Sequence, residues 1–475
     1  MLLNDTLTFL PSSLPGVVII CASLTTLLAI VITGYAIYQI SFHPLAQYPE
    51  PLLGKLTSLW SVYHAFRGDR HLAIFELHQR YGTVVRIGPH HISINSASAL
   101  GPIYGHGANV QKSTLYASFY GNNLLTAVDK KTHGRKKRVM SSAFSDQALR
   151  NMEPHILSAI RDWCSALGKN YEDSALKGHG HWSTCVVFDA LGEVCFGRSF
   201  ESSCSDENHF FFALMSLNMY IINIVGQMPI LRSLGVEPYL RRGTAANRQR
   251  QVAFAGKQLR TRLEADKSGT NRRDIIYYLL RAQDPETGKG YSDSELISEV
   301  TMLLGAGTDT ASTALAATFY YLTRHPAILA RVTGEIRSTF PDLESIVLGP
   351  LMQQMPYLRA CIEEAMRLSP PLPTLLPRQV LEGGLHIDQY FFQAGTIIGV
   401  PIYALHHTGK YFEQPFTYDP NRWLLRDSEH REGALRNGWL GFSAVGAGGR
   451  DGEYKIRDHF AAGKEGPVLQ FQRRI

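Results

Sequence analysis

One long helix constrains how this chain can fold. Ser292-Asp293-Ser294-Glu295 is a capping box, with Ser292 at the N-cap and Glu295 at N3. Pro326 stops the run. Some thirty residues between them rise about 45 Å at 1.5 Å each. A helix of that length crosses a whole domain, and the rest of the chain must pack around it. Its centre is unusual. "LLGAGTDTAST", Leu303 to Thr313, puts two glycines, an Asp and a Thr where a buried helix carries Leu or Val. Gly305 and Gly307 each cost about 1 kcal/mol relative to Ala. Their missing side chains admit either a flat ligand or another backbone. In the first case Asp309 and Thr310 set a carboxylate and a hydroxyl beside a gap. In the second the glycines mark a helix crossing, and Thr310 bonds to its own backbone.

The N-terminus adds a second constraint. From Thr6 to Pro49 there is no Asp, Glu, Lys or Arg. Val17 to Tyr38 is nearly all apolar and long enough for a bilayer, which needs roughly 20 helical residues. A cleaved leader has a basic front and a short apolar core. Here the front holds Asp5, and the first basic residues, Lys55, Arg67 and Arg70, follow the apolar run. That pattern predicts an uncleaved single-pass anchor, with its N-terminus outside the cytosol and the remaining chain inside. Asn4-Asp5-Thr6 is then a glycosylation sequon on the lumenal side, with Asn4 as acceptor. "HPLAQYPEPLLGKL", His43 to Leu56, holds three prolines and reads as a stiff linker.

The remainder reads as a globular protein. With 475 residues and 45% apolar content the chain can bury an ample core, as one large fold or two or three units. A net charge of +6 is mild and calls for no nucleic acid. Six scattered cysteines, none in a CxxC pair, argue against a zinc site and against a disulfide framework. "TVVRIGPHHISIN" (Thr83 to Asn95) reads as a hairpin, and Leu100 to Tyr320 has mostly helical spacing. Strand-like runs return at "RQVLEGGLHI" (Arg378 to Ile387) and "GTIIGVPIY" (Gly395 to Tyr403). The fold expected is mainly α with small β-sheets, an α+β arrangement. "KGHGHW", Lys177 to Trp182, has two His separated by Gly and reads as a surface turn.

Two further motifs accompany the long helix. Glu364 and Arg367 lie on one helix face at i,i+3, inside the otherwise apolar stretch Tyr357 to Leu368. A buried pair of this kind needs more hydrogen-bond partners. Arg422, in "YDPNRWL", is a candidate third member. "AGTDT", "EEAMR" and "PNRW" occur in that order. With "FHPLAQYPEP", "DKKTHGRKKRVMSSAFS", "DALGEVCFGRSF" and "HHTGKYFEQPFTYDPNRWL", they make the chain resemble the cytochrome P-450 family of haem-thiolate monooxygenases. The likeness is greatest to membrane-bound fungal members of secondary metabolism.

That resemblance implies a P-450-type fold and a haem cofactor used with O2 and with electrons passed from NADPH by a reductase. Ala306 and Gly307 would lie over the haem, and Asp309 and Thr310 would serve proton delivery. His133, Lys137, Arg138 and Arg378 would face the haem propionates; Lys137 stands where many members have Arg. The "RKKR" run at Arg135 to Arg138 would serve haem and reductase contact. Glu364, Arg367 and Arg422 would form a buried structural network. Phe210 to Ile224 would roof a pocket and "PLPTLLP" (Pro371 to Pro377) would wall it, both suiting a lipophilic small molecule. The expected organisation is a lumenal N-terminus (1–16), a transmembrane anchor (17–40), a Pro-rich linker (41–56), a catalytic domain (57–443) and a divergent tail (444–475). The location implied is the endoplasmic reticulum membrane, with the catalytic domain cytosolic.

The likeness fails at one place. Haem-thiolate chemistry needs a Cys on the iron. The family places it in a Gly-rich loop opening with Phe, and here Gly441-Phe442-Ser443 opens correctly before the text diverges. No Cys follows Cys361, so no metal ligand is assigned and the fold is expected to be C-terminally incomplete. His459 follows the break with nothing to position it. An altered reading frame or retained intron near residue 444, or a degenerate enzyme, would each produce this. Two readings stay open: a membrane-bound monooxygenase by descent, and a non-catalytic member that keeps the fold.

Overall fold

In the computed structural model the described residues are 14–119, 121–169, 179–228, 230–231, 234–236, 239, 242–347, 349–424, 456–459 and 461–464. Asn4, most of the lumenal segment, the Gly441-Phe442-Ser443 loop opening and residues 444–455 lie outside them.

The described helices, in chain order, are α1 (Leu14–Ile37), α2 (Leu52–Leu56), α3 (Leu59–Arg67), α4 (Arg70–Tyr81), α5 (Leu100–Tyr104), α6 (Lys130–Ser141), α7 (Asp146–Lys169) and α8 (His179–Phe196). There follow α9 (Phe210–Gly226), α10 (Arg242–Lys267), α11 (Ile275–Arg281), α12 (Asp293–Arg324), α13 (Pro326–Thr339), α14 (Pro350–Gln353), α15 (Pro356–Leu368) and α16 (Ile402–His406). The long helix expected from its caps is α12. Ser292 accepts from the Glu295 amide, and the Glu295 carboxylate accepts from the Ser292 amide at 3.1 Å. His325 closes its C-terminus, and Pro326 opens α13. Around it Phe188, Phe211, Leu259, Ile276, Val300 and Leu304 are buried in one core.

A five-stranded sheet completes the frame, in the order β1 (Val84–Gly88), β2 (His91–Ile94), β7 (Ile397–Gly399), β4 (Arg378–Val380) and β3 (Val110–Lys112). Only β2 and β7 pair in parallel. A separate hairpin joins β5 (Leu385–Ile387) to β6 (Tyr390–Phe392). The sheet brings residues near 110 against residues near 380, which no local pattern announces.

From Val18 to Ile37 α1 is exposed almost throughout, and Val18 to Phe42 has the length and composition of a bilayer span, with Gln39 its one buried residue. The proline-containing segment behind it is packed rather than free. Leu45 and Tyr48 are each 5% exposed and lie in the core over the sheet, with Ile92, Ile398 and Phe392. Gln39 also reaches inward: its side-chain oxygen accepts from Arg86 at 2.6 Å.

Part of the tail is docked too. β8 (Ile456–His459) and β9 (Ala461–Lys464) form an antiparallel hairpin that touches α9 and α12. The Asp458 amide donates to the Gly68 carbonyl at 2.9 Å, and Asn223 donates to the Asp458 carbonyl at 3.1 Å. Asp458 is fully buried. The tail that reads as aperiodic therefore holds a paired, packed segment, because a short hairpin needs turn chemistry and partners rather than a long apolar period.

Candidate functional site

The centre of α12 sorts its residues onto different faces. A β-carbon added at Gly307 would meet Leu191 Cδ1 at 2.9 Å, and one added at Gly305 would collide with Met215. Both glycines thus accommodate neighbours from α8 and α9. At both positions the space of the missing side chain is taken by a neighbouring helix, as at a helix crossing. Ala306 is exposed and Thr310 partly so, one turn apart, and they form the open face instead. The Thr310 hydroxyl donates to the Ala306 carbonyl at 2.9 Å, as the second sequence reading of this stretch anticipates. Asp309 is nearly buried.

A second group forms where β3 meets β4. Lys112 and Arg378 stand directly opposite each other in the ladder. Like charges in that position repel. Burial, then Arg378, pushes Lys112 down to about 7. His133 on α6 belongs to the same field: burial first, then Lys112, Lys137 and Arg378, lowers it to about 4. Arg378 donates to the Tyr116 hydroxyl at 3.0 Å, and Lys112 donates to the carbonyls of Leu124 and Leu125 at 2.6 and 2.9 Å. No carboxylate among the described residues forms an ion pair with Lys112, Lys137 or Arg378. Glu299 is engaged by Lys136 at 3.1 Å and by the Leu124 amide at 2.9 Å.

Arg138 is placed differently from the sequence expectation. It pairs with Asp284 at 2.5 Å and Glu286 at 2.7 Å. Arg135 pairs with Glu295, and Lys136 with Glu295 and Glu299. Most of the basic run therefore fastens α6 to α12 and to the turn before it. Lys112 was missed by sequence reasoning, since its role arises only from strand pairing across more than 260 residues.

The third group is a buried network. Arg367 donates to Glu364 through Nε at 2.8 Å and through Nη2 at 2.9 Å. Three more donors reach the Glu364 carboxylate: Arg422 Nε at 3.0 Å, the Trp423 indole N–H at 2.9 Å and the Asp419 amide at 3.0 Å. Arg367 further donates to the carbonyls of His406 and Pro415 at 2.8 and 2.6 Å. Burial alone would raise the Glu364 carboxyl; Arg367 and Arg422 outweigh it and hold it below the usual range. The network ties α15 to α16 and to the segment 413–423.

These groups can be tested against haem. Cations gathered from three elements, with no described carboxylate paired to Lys112, Lys137 or Arg378, suit a pair of propionates. The iron side does not fit. Cys195 is buried in the α8 core with its thiol pushed up by burial. Cys361 is buried in α15 with its thiol raised to about 11, mainly by burial. Neither is a thiolate facing a cavity.

A helical domain around a 32-residue helix, a small mixed sheet and a Glu-Arg-Arg network define a haem-monooxygenase scaffold. The cytochrome P-450 family model matches residues 45–447, and the chain belongs to that family. Its members use haem iron with O2 and electrons supplied by a reductase.

The chain is 33% identical to the cytochrome P-450 monooxygenase poxM of Penicillium oxalicum, over 93% of each chain. It is 34% identical to the monooxygenase atnE of Emericella nidulans, over 95% of this chain and 97% of that one. The second alignment runs over 505 positions against a chain of 475, so that relative has residues with no counterpart here. The fold matches the crystal structure of the cytochrome P-450DA haem domain with a TM-score of 0.68 at 18% identity, over 88% of this chain and 96% of the other.

Proposed function

We propose that this chain is a membrane-anchored P-450 scaffold of fungal secondary metabolism, built to hold haem beside a pocket for a lipophilic small molecule. The observation that carries this reading is the convergence of Lys112, His133, Lys137 and Arg378. Haem held by these residues would supply oxygen-activating iron chemistry. Thr310 offers a rotatable hydroxyl on the open face of α12, suited to holding and relaying a proton, and Asp309 stands beside it in sequence on a more buried face. Glu364, Arg367 and Arg422 act at a distance, by fixing the frame. A cavity of about 570 Å³ opens among Tyr35, Leu59, Ile87, Leu115, Met228 and Ile230, close to the end of α1. Its apolar lining and its place beside the anchor favour entry of a substrate from lipid. The anchor supports residence in the endoplasmic reticulum membrane, with NADPH-derived electrons from a reductase and Asn4 glycosylated in the lumen.

The absence of any Cys after Cys361 favours a second reading for the chain as it stands, a haem-holding scaffold without oxygenation. Haem titration followed by absorbance tests what the two readings share. Arg378→Met should weaken haem binding about tenfold or more, the worth of one hydrogen bond to a charged group. Unchanged affinity would remove the cation group from haem binding.

A further inference from the structure

"KGHGHW" does not end in a surface turn. α8 begins at His179, Trp182 is 5% exposed, and His181 and Cys185 lie one turn apart on that helix. His209, 24 residues beyond Cys185, stands at the N-cap of α9. The Nε2 atoms of His181 and His209 each lie 3.6 Å from Cys185 Sγ. The three potential ligand atoms all fall within 4.8 Å of one another. We propose that His181, Cys185 and His209 form a Zn2+ site, with water as the fourth donor.

The distances carry the proposal. With Zn–S near 2.3 Å and Zn–N near 2.05 Å, a tetrahedral ion holds sulfur and nitrogen about 3.6 Å apart. That separation occurs twice here, on two different histidines. His209 Nε2 also lies 2.8 Å from the Ser202 carbonyl oxygen, to which it donates in the metal-free state. On an ion the His209 ring gives up that hydrogen bond, and the sulfur and the two nitrogens are the three protein donors. The second ring nitrogen is also provided for. His209 Nδ1 faces Asp206 Oδ1 at 3.1 Å, the carboxylate–histidine arrangement that fixes the tautomer leaving Nε2 for a metal. Cys185 is buried, while the side chains of His209 and Asp206 are 16% and 69% exposed, so an ion can reach the sulfur from that edge. His181 and His209 pack edge to face at 4.8 Å, and both lie against Phe212, which limits their freedom to leave.

No sequence pattern signals this site. The ligands come from a helix and from the start of the next one, with no CxxC and no His-x3-His. Its effect is to clip α8 to the first turn of α9, the helix whose Met215 closes the Gly305 crossing. On loading, the Cys185 thiol releases its proton to solvent, and the neutral His209 ring changes tautomer so that its proton sits on Nδ1 beside Asp206 and Nε2 is left for the cation; no oxidant or reductant is needed.

The test uses the untagged, full-length, haem-free chain. The protein is stripped with a chelator, loaded with Zn2+, separated from free ion and assayed for metal by mass spectrometry. In parallel it is loaded with Co2+ and its absorption recorded. About one Zn2+ per chain and a thiolate-to-Co2+ charge-transfer band are expected. Cys185→Ser should abolish both. Asp206→Asn, on an exposed side chain that does not threaten folding, should weaken Zn2+ binding about 10- to 100-fold. A chain with native-like circular dichroism that retains no Zn2+, a Co2+ spectrum without the thiolate band, or equal retention by Cys185→Ser would each overturn the site.

Discussion

Glu364→Gln should be among the most damaging single changes available in this chain. The carboxylate accepts from five donors: Arg367 Nε and Nη2, Arg422 Nε, the Trp423 indole and the Asp419 amide. Gln keeps one acceptor oxygen but turns an NH2 toward guanidinium or indole donors. It also leaves two guanidinium groups without a counter-charge, one of them fully buried. Removing one partner of a buried ion pair costs about 3–5 kcal/mol. A folded domain has about 5–15 kcal/mol in all, so the variant should be severely destabilised or poorly expressed. Arg422→Met should cost less, about 1–3 kcal/mol, since Arg367 still compensates Glu364. The double variant should fall short of the sum, because both changes disrupt one network. Urea unfolding followed by Trp fluorescence measures all three. The pH dependence has a definite sign. The folded Glu364 carboxyl titrates below its unfolded value of about 4.3, so its contribution is full above that pH. It is lost as pH falls through the lower folded value. The gap between wild type and Glu364→Gln should therefore be constant from pH 8 to 5 and shrink below about 4. A loss under about 1 kcal/mol, or a gap indifferent to acid, would refute the charged-network account.

Three other outcomes follow from the same geometry. Lys112 is held near 7, so an anionic group placed beside it should raise that value. Haem binding between about pH 7 and 10 should then take up a proton and weaken as pH rises, and Lys112→Met should remove that slope in a titration series. Deleting residues 1–33 should release the protein from membranes with salt or mild detergent; retention would mean that another surface dominates. Extending the deletion to Ile40 should also lower stability, because it removes Gln39 from the buried Arg86. In a chain given an axial Cys, Thr310→Ala should still bind substrate but divert electrons to hydrogen peroxide, and full coupling would exclude Thr310 from proton delivery.

What could be read from sequence was local. Ser292 and Glu295 announce α12 because their chemistry acts within one turn. Glu364 and Arg367 announce burial because charged residues inside an apolar helix need partners, and Arg422 is one. The functions of Gly305 and Gly307 were not legible, since a missing side chain says nothing about which neighbour it admits. Here Met215 and Leu191 are the neighbours. Lys112 was invisible because its partner across the ladder is Arg378. Arg138 was misplaced because adjacent charges on a helix point in different directions, and Asp284 meets this one. His181 and His209 meet Cys185 only after two helices pack.

The most direct test of the central claim is the carbon monoxide spectrum of the reduced, haem-loaded chain, with its C-terminus verified by mass spectrometry. The account predicts haem held through Lys112, His133, Lys137 and Arg378 without the absorption band of a thiolate-ligated iron, and no oxygenation above background. Insertion of a Cys-bearing loop after Ser443 should create that band. A thiolate-type spectrum from the 475-residue chain itself would contradict the account and identify one of its six cysteines as the iron ligand.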